Sequence, residues 1–225
     1  MSYGAERYGE SREIGFGETL LEFRTLFERN TPFLLGVMGG IAAFYSLWDM
    51  TVGPTSQLFI NLAITIFGQY FVIERLLADR LPDGRGSRRF RSIFGSGVLS
   101  GLGIVFGFLF LIFPGIFLLA RWSIASPAVI EEDVGSVRAL GLSWERTAAS
   151  SLPLFFVYLL ASGIYLVGLI VIVGLAEAAG QANSWPETIG TNLAVGVLTV
   201  FGWALSTAIY RCLTPRDTGI QDVFS

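Results

Sequence analysis

Long apolar stretches alternate with short polar ones along this chain. They cover residues 33–48, 58–73, 93–113, 116–130, 152–175 and 189–213. Apolar runs of roughly 17–25 residues are what a bilayer demands of a spanning helix. Two further segments repeat at helical spacing without being apolar all round. Phe16, Leu20, Phe23 and Phe27 recur opposite Glu18, Glu22, Thr25 and Arg29. Val137, Leu140, Trp144 and Ala148 share a face away from Arg138, Ser143, Glu145 and Arg146. Each predicts an amphipathic helix suited to the membrane interface. Residues 1–15 are polar and aperiodic and read as a mobile tail, with a short second tail at 214–225. The pattern therefore predicts an all-α polytopic bundle, a single membrane domain over 16–213.

Residues 108–133, FLFLIFPGIFLLARWSIASPAVIEED, pose a topological choice. The run can cross once with a kink, or turn back at Pro114-Gly115 and cross twice. A straight helix over 93–130 would be about 57 Å long at 1.5 Å per residue, nearly twice a hydrocarbon core of about 30 Å. Arg distribution agrees with a reversal, because Arg in short loops marks the cytoplasmic side. The N-terminal segment has four Arg and the 74–92 loop has six, whereas the 49–57 and 176–187 loops have none. Only a reversal at Pro114-Gly115 puts 131–150, with Arg138 and Arg146, on the Arg-rich side. Pro presets its own torsion and Gly tolerates most others, as a tight hairpin requires. The expectation is six crossings in three hairpins with both termini cytoplasmic. The lead-ins FRTLFERNTPFLLG, FRSIFGSGVLSGLG and WERTAASSLPLFFV share an aromatic, and two share its spacing to a Pro, a weak threefold repeat.

Composition narrows the chemistry more than the class. Hydrophobic residues make up 52% of the 225, a value soluble domains also approach, but charged residues are only 15% against about 25% in a typical soluble chain. Mean hydropathy is +0.62. There is no His, and every one of the 15 basic residues is Arg. That removes His-based general bases, nucleophile partners and metal ligands. The single Cys212 excludes an internal disulfide. A net charge of −3 argues against nucleic acid as a partner. The acidic start lacks the basic and then apolar pattern of a signal peptide. No cofactor is implied.

The succession PGIFLLARWSIASPAVIEED, then GSVRALGLSWERT, then an apolar helix, resembles the membrane domain attached to some bacterial glycerophosphoryl diester phosphodiesterases. It is also similar to related free-standing inner-membrane proteins. The shared pattern is Pro-Gly, an Arg seven residues on, Ser-Pro, an acidic stop and an amphipathic helix with an Ala-Leu…Ser-Trp core. It covers residues 16–213, its specific part 113–147, and departs at Gly141 and in a Gly-rich third helix. The resemblance implies a polytopic protein of the bacterial inner membrane. It does not imply phosphodiesterase activity, because the catalytic barrel of those enzymes uses His residues that this chain lacks.

Arg121 lies about midway along the fourth apolar run, where a charge needs a partner or a water-filled cavity. It is either an anion contact, such as a fork on a lipid phosphate, or a packing group bound to helix carbonyls or to Glu74. Gly97/Gly101 and Gly103/Gly107 are small-xxx-small pairs for close packing within the chain or against a partner. Arg85, Arg88, Arg89 and Arg91 form a juxtamembrane cluster that binds anionic headgroups or simply sets topology. Glu131, Glu132 and Asp133 read as a solvated stop signal. Asn61, Gln69, Tyr158, Tyr165 and Asn192 suit interhelical hydrogen bonds. No span carries the paired carboxylates of a proton relay, and no nucleophile–base pair is evident. The expected function is that of a non-enzymatic accessory or assembly subunit of a larger membrane complex, or a lipid-organising factor. Its expected partners are phospholipids, a complex or a homo-oligomer. The alternative is a small transporter or lipid-handling protein with Arg121 as its anion contact.

Overall fold

The computed structural model describes residues 13–52, 57–81, 88–181 and 184–215. They form eight helices: α1 (Phe16–Thr51), α2 (Gln57–Leu76), α3 (Arg88–Phe110), α4 (Ile112–Arg121), α5 (Ala125–Glu132), α6 (Ser136–Arg146), α7 (Ser151–Ala178) and α8 (Trp185–Leu213). Among the described residues, five segments are long and apolar enough to cross a membrane: Phe16–Thr51, Arg91–Leu109, Ile112–Glu132, Ser151–Ala178 and Trp185–Leu213. The protein is a helical membrane bundle. Side chains exposed along α7, such as Leu160, Ile164, Val167 and Ile170, form the surface a bilayer would cover.

The first amphipathic segment and the first span are one helix. α1 runs without a break through Pro32 and is about 54 Å long at 1.5 Å per residue. Pro32 has no N–H for the Glu28 carbonyl, so a break was the natural expectation there. The hydroxyl of Thr31 compensates by donating to the carbonyls of Glu28 (3.2 Å) and Phe27 (2.8 Å). The membrane domain also starts earlier than Phe16. Ile14 is buried, and its N–H donates to Ser150 Oγ at 2.8 Å. At the other end the Thr214 carbonyl accepts a hydrogen bond from Arg80.

α1 lies antiparallel on α8 over most of its length. Glu22 meets Arg211, Phe23 and Phe27 meet Phe201, and Asp49 meets Asn192. Gly196 makes the close approach possible, since a Cβ there would sit 2.8 Å from the Met38 carbonyl oxygen. α2 packs against α8 and α5, and α7 against α4 and α8.

The chain reverses between α3 and α4 at Leu111 (φ −170°, ψ 150°), not at Pro114-Gly115. Pro114 instead occupies the first turn of α4. The N–H groups of a first turn have no intrahelical acceptor, so a proline there costs little. Gly115 faces back onto α3. A Cβ on Gly107 would lie 2.9 Å from the Gly115 Cα, so this glycine pair lets the two hairpin arms touch backbone to backbone. Gly103 receives the Trp122 ring in the space a side chain would fill. Among the described residues Gly97 and Gly101 make no close approach: nothing lies within 4 Å of a Cβ at 101, and only Ile66 does at 97.

Candidate functional site

The fourth apolar run is two helices rather than one. α4 stops at Arg121, residues 122–124 form a turn, and α5 resumes at Ala125 with every residue through Ile130 buried. Such a break frees carbonyls in an apolar interior, where each needs another donor. Hydroxyls from the α6 region and from α8 provide them. Ser143 and Thr147, on and just beyond α6, donate to the Arg121 carbonyl at 2.7 and 3.2 Å. Ser206 on α8 donates to the Ser123 carbonyl at 2.5 Å. The Tyr158 hydroxyl on α7 pairs with the Ser123 side chain. The break is therefore a joint at which α6, α7 and α8 converge.

Arg121 sits on this joint and is only 5% exposed. Its Nη2 donates to the Trp144 carbonyl at 2.5 Å, and its Cζ lies 4.3 Å from the centre of the Trp144 ring. Phe117 and Trp122 pack on that ring in turn. A guanidinium over an indole face is held by the ring quadrupole as well as by its hydrogen bond. Glu74, the carboxylate considered from the sequence, instead accepts from Tyr70 at 3.1 Å. Arg121 Nε and Nη1 are buried and have no hydrogen-bond partner among the described residues.

The α6 helix turns polar groups inward beside apolar ones. Ala139, Leu142, Ser143 and Arg146 face inward, whereas Val137 is 76% exposed and Trp144 also lies outward. The cause is polar. The joint needs the Ser143 hydroxyl, and Glu132 needs the Arg146 guanidinium. Both Arg146 Nη atoms donate to the two Glu132 oxygens, and the Tyr210 hydroxyl donates to Glu132 at 2.8 Å. Burial pulls the Arg146 pKa down, and the hydrogen bond and charge of Glu132 more than reverse this, leaving it above its usual value. The acidic stop is thus a structural anchor rather than a solvated signal. Glu131 is paired with Arg80 at 3.8 Å. Asp133 ends α5 in the left-handed region (φ 55°), which Asp tolerates better than most residues.

Around this anchor the Arg-rich ends of the helices are tied together. Arg211 at the end of α8 donates to Glu22 on α1 (2.6 Å) and to both oxygens of Asp79 beyond α2 (2.8 and 3.1 Å). Arg80 donates to the Thr214 carbonyl at 2.9 Å. Burial lowers the Arg80 pKa, with Glu131 opposing. Burial raises the Asp79 carboxyl, but Arg211 outweighs it and holds the pKa below its ordinary value. A cavity of roughly 190 Å³ opens beside this network, lined by Leu26, Arg29, Asn30, Arg75, Leu76, Ala78, Asp79 and Arg211. At the opposite end of α1, Asn192 Nδ2 donates to Asp49 (2.9 Å) and Ser46 (3.3 Å).

Of the juxtamembrane cluster, Arg85 lies outside the described residues, Arg88 and Arg89 open α3, and Arg91 is exposed. Sequence reasoning did not single out Asp79, Arg80, Tyr210 or Arg211. Each stands alone in its local pattern, and only the folded chain brings them together. No family model matches this chain, and neither a curated protein nor a solved structure does.

Proposed function

We propose that this is a non-enzymatic integral membrane protein of the bacterial inner membrane, working by association with lipid or with a membrane complex. The carrying observation is where the polar groups are used. Interior polar groups join helices: Arg121 to Trp144, and Ser143, Thr147 and Ser206 to the α4–α5 break. The accessible cations gather at the Arg-rich end, where a bilayer meets water. The likeness of residues 113–147 to the membrane domain of glycerophosphoryl diester phosphodiesterases supports the inner-membrane assignment.

Six crossings with both termini cytoplasmic fit the contacts. Asp49, near the end of α1, pairs with Asn192 at the far end of the bundle. Asp79, just past α2, pairs with Arg211 beside Glu22 at the near end. α2 therefore returns across the bundle as a sixth crossing. Native mass spectrometry of the gently solubilised protein tests the functional reading. Retained anionic phospholipid or a stoichiometric protein partner is expected, and a bare monomer under every mild condition would overturn it.

A second reading, a small transporter or lipid-handling protein, is favoured by one observation. Arg121 Nε and Nη1 are buried without a hydrogen-bond partner among the described residues, as an empty anion contact would be. It requires a water path to Arg121 during turnover. Protection of Arg121→Cys from small thiol reagents under all conditions would count against it.

A further inference from the structure

A cavity of roughly 190 Å³ opens at the Arg-rich end. Three helices leave the apolar layer around it: Arg29 precedes the apolar part of α1 by a few residues, Arg75 ends α2, and Arg211 ends α8. Three guanidiniums and one carboxylate line it. The carboxylate, Asp79, already has both oxygens on Arg211, and Arg211 is shared with Glu22. Arg29 and Arg75, by contrast, have no hydrogen bond or ion pair among the described residues. Two cations without a partner among the described residues thus line one cavity, beside an Arg211–Asp79–Glu22 cluster that carries one net negative charge. The buried Leu26 and Leu76 also line it, although most of its exposed lining is polar. Asn30 contributes an amide that donates one hydrogen bond to the Leu26 carbonyl at 2.9 Å and keeps a second N–H.

We infer that this α1–α2–α8 cavity is a phosphate-binding site for the headgroup of an anionic membrane phospholipid, with Arg29 and Arg75 as its ligands. The volume is below the roughly 300–1,000 Å³ of sites that enclose drug-sized molecules, and suits a compact headgroup. Planar guanidiniums grip phosphate oxygens in pairs. Basic pockets between helices at the cytoplasmic side are a recurrent way to hold lipid headgroups. The site is distinct from Arg121. It rests on the reading of the chain as a lipid-associating membrane protein.

The test is native mass spectrometry of the full chain in mild detergent, titrated with phosphatidylglycerol, phosphatidylcholine or inorganic phosphate. The wild type and the Arg29→Gln/Arg75→Gln double variant are compared, with Arg88→Gln/Arg89→Gln as the control for general surface charge. Loss of both pocket cations should weaken phosphatidylglycerol binding about thirtyfold, the effect of removing two cations near an anionic lipid surface. The control should change binding severalfold at most. Since Arg29 and Arg75 hold no other described residue, the double variant should keep the wild-type melting midpoint. Phosphatidylglycerol binding that inorganic phosphate does not displace assigns the site to a lipid. Inorganic phosphate bound with equal strength and equal loss in the double variant assigns it to free phosphate. If the wild type binds phosphatidylglycerol and the double variant binds it equally, the pocket is refuted while the wider lipid reading stands. If the wild type retains no anionic lipid and no protein partner, the wider reading fails as well.

Discussion

Glu132 and Arg146 face each other as a two-point ion pair across the short loop between α5 and α6, with Nη2 3.0 Å from Oε2. Their side chains are 24% and 10% exposed, so neither is well solvated. Removing one partner strands the other, which costs about 3–5 kcal/mol for a fully buried pair. Residual exposure of Glu132 puts Arg146→Ala near the lower bound, about 3 kcal/mol. Thermal unfolding in detergent should show this as a clear drop in midpoint. The double variant Glu132→Leu/Arg146→Leu should recover part of the loss, because no stranded charge remains.

Arg121 offers the opposite case. Its hydrogen bond goes to a neutral carbonyl, and it faces no carboxylate among the described residues. Arg121→Met keeps most of the volume and removes a buried charge. It should change stability by no more than about 1 kcal/mol, the scale of a single hydrogen bond. Arg121→Lys should be the less stable of the two, since it keeps the charge and loses the flat contact with Trp144. The order of the two melting midpoints checks this.

Glycines separate by their surroundings. Gly196→Ala pushes a methyl to 2.8 Å from the Met38 carbonyl oxygen, a backbone atom that cannot swing aside. The α1–α8 pair must part, at a cost of about 1–3 kcal/mol. Gly101→Ala meets nothing within 4 Å. It should be neutral or stabilise the helix by up to about 1 kcal/mol. A lower melting midpoint for Gly101→Ala than for Gly196→Ala would contradict this packing.

Much of this architecture was legible before folding because apolar length and Arg placement are local or additive signals. The apolar runs around α3, α7 and α8 needed nothing else. The reversal near Pro114 was inferred from Arg counts in distant loops, yet its place shifted to Leu111. A proline is at ease in a first helical turn, so it marks the region of a turn rather than its residue. The α1 continuation through Pro32 was hidden because the rescue comes from the hydroxyl of its neighbour Thr31. The outward Val137 and Trp144 of α6 agree with an amphipathic helix at the interface, but the inward use of Ser143 and Arg146 was not legible. The interior they serve contains a broken helix and an acid. Ser143 and Arg146 satisfy those groups, and no pattern within residues 134–148 encodes that demand.

Acid should loosen the Arg-rich end first. Arg211 holds the Asp79 pKa below its ordinary value. The pair's stabilisation is therefore full above the ordinary carboxylate pKa, about 3.9. It is lost as pH falls through the depressed folded value. Asp79→Asn should melt below the wild type at pH 7, and the gap should close as pH drops below about 4. A gap that stays constant down to pH 2 would rule out this linkage.

Topology can be read by labelling. Val137 is 76% exposed and Trp185 66% exposed, and the proposed arrangement puts them on opposite sides. In a Cys212→Ser background, Trp185→Cys should react with a membrane-impermeant maleimide in intact cells. Val137→Cys should react only after the cells are opened. External labelling of position 137 would exclude six crossings with cytoplasmic termini.

The pairing of α1 with α8 also sets a schedule for making the protein. Met38 and its close neighbour Gly196 are 158 positions apart, and ribosomes add about 5–20 residues per second. The first helix therefore spends on the order of ten seconds or more in the bilayer before its main partner exists. The α4–α5 joint waits as well, because Ser206 arrives with the last helix. A ribosome that stalls before α8 leaves a nascent chain with an unsatisfied carbonyl in lipid and an unclaimed face on α1, both available to membrane quality control.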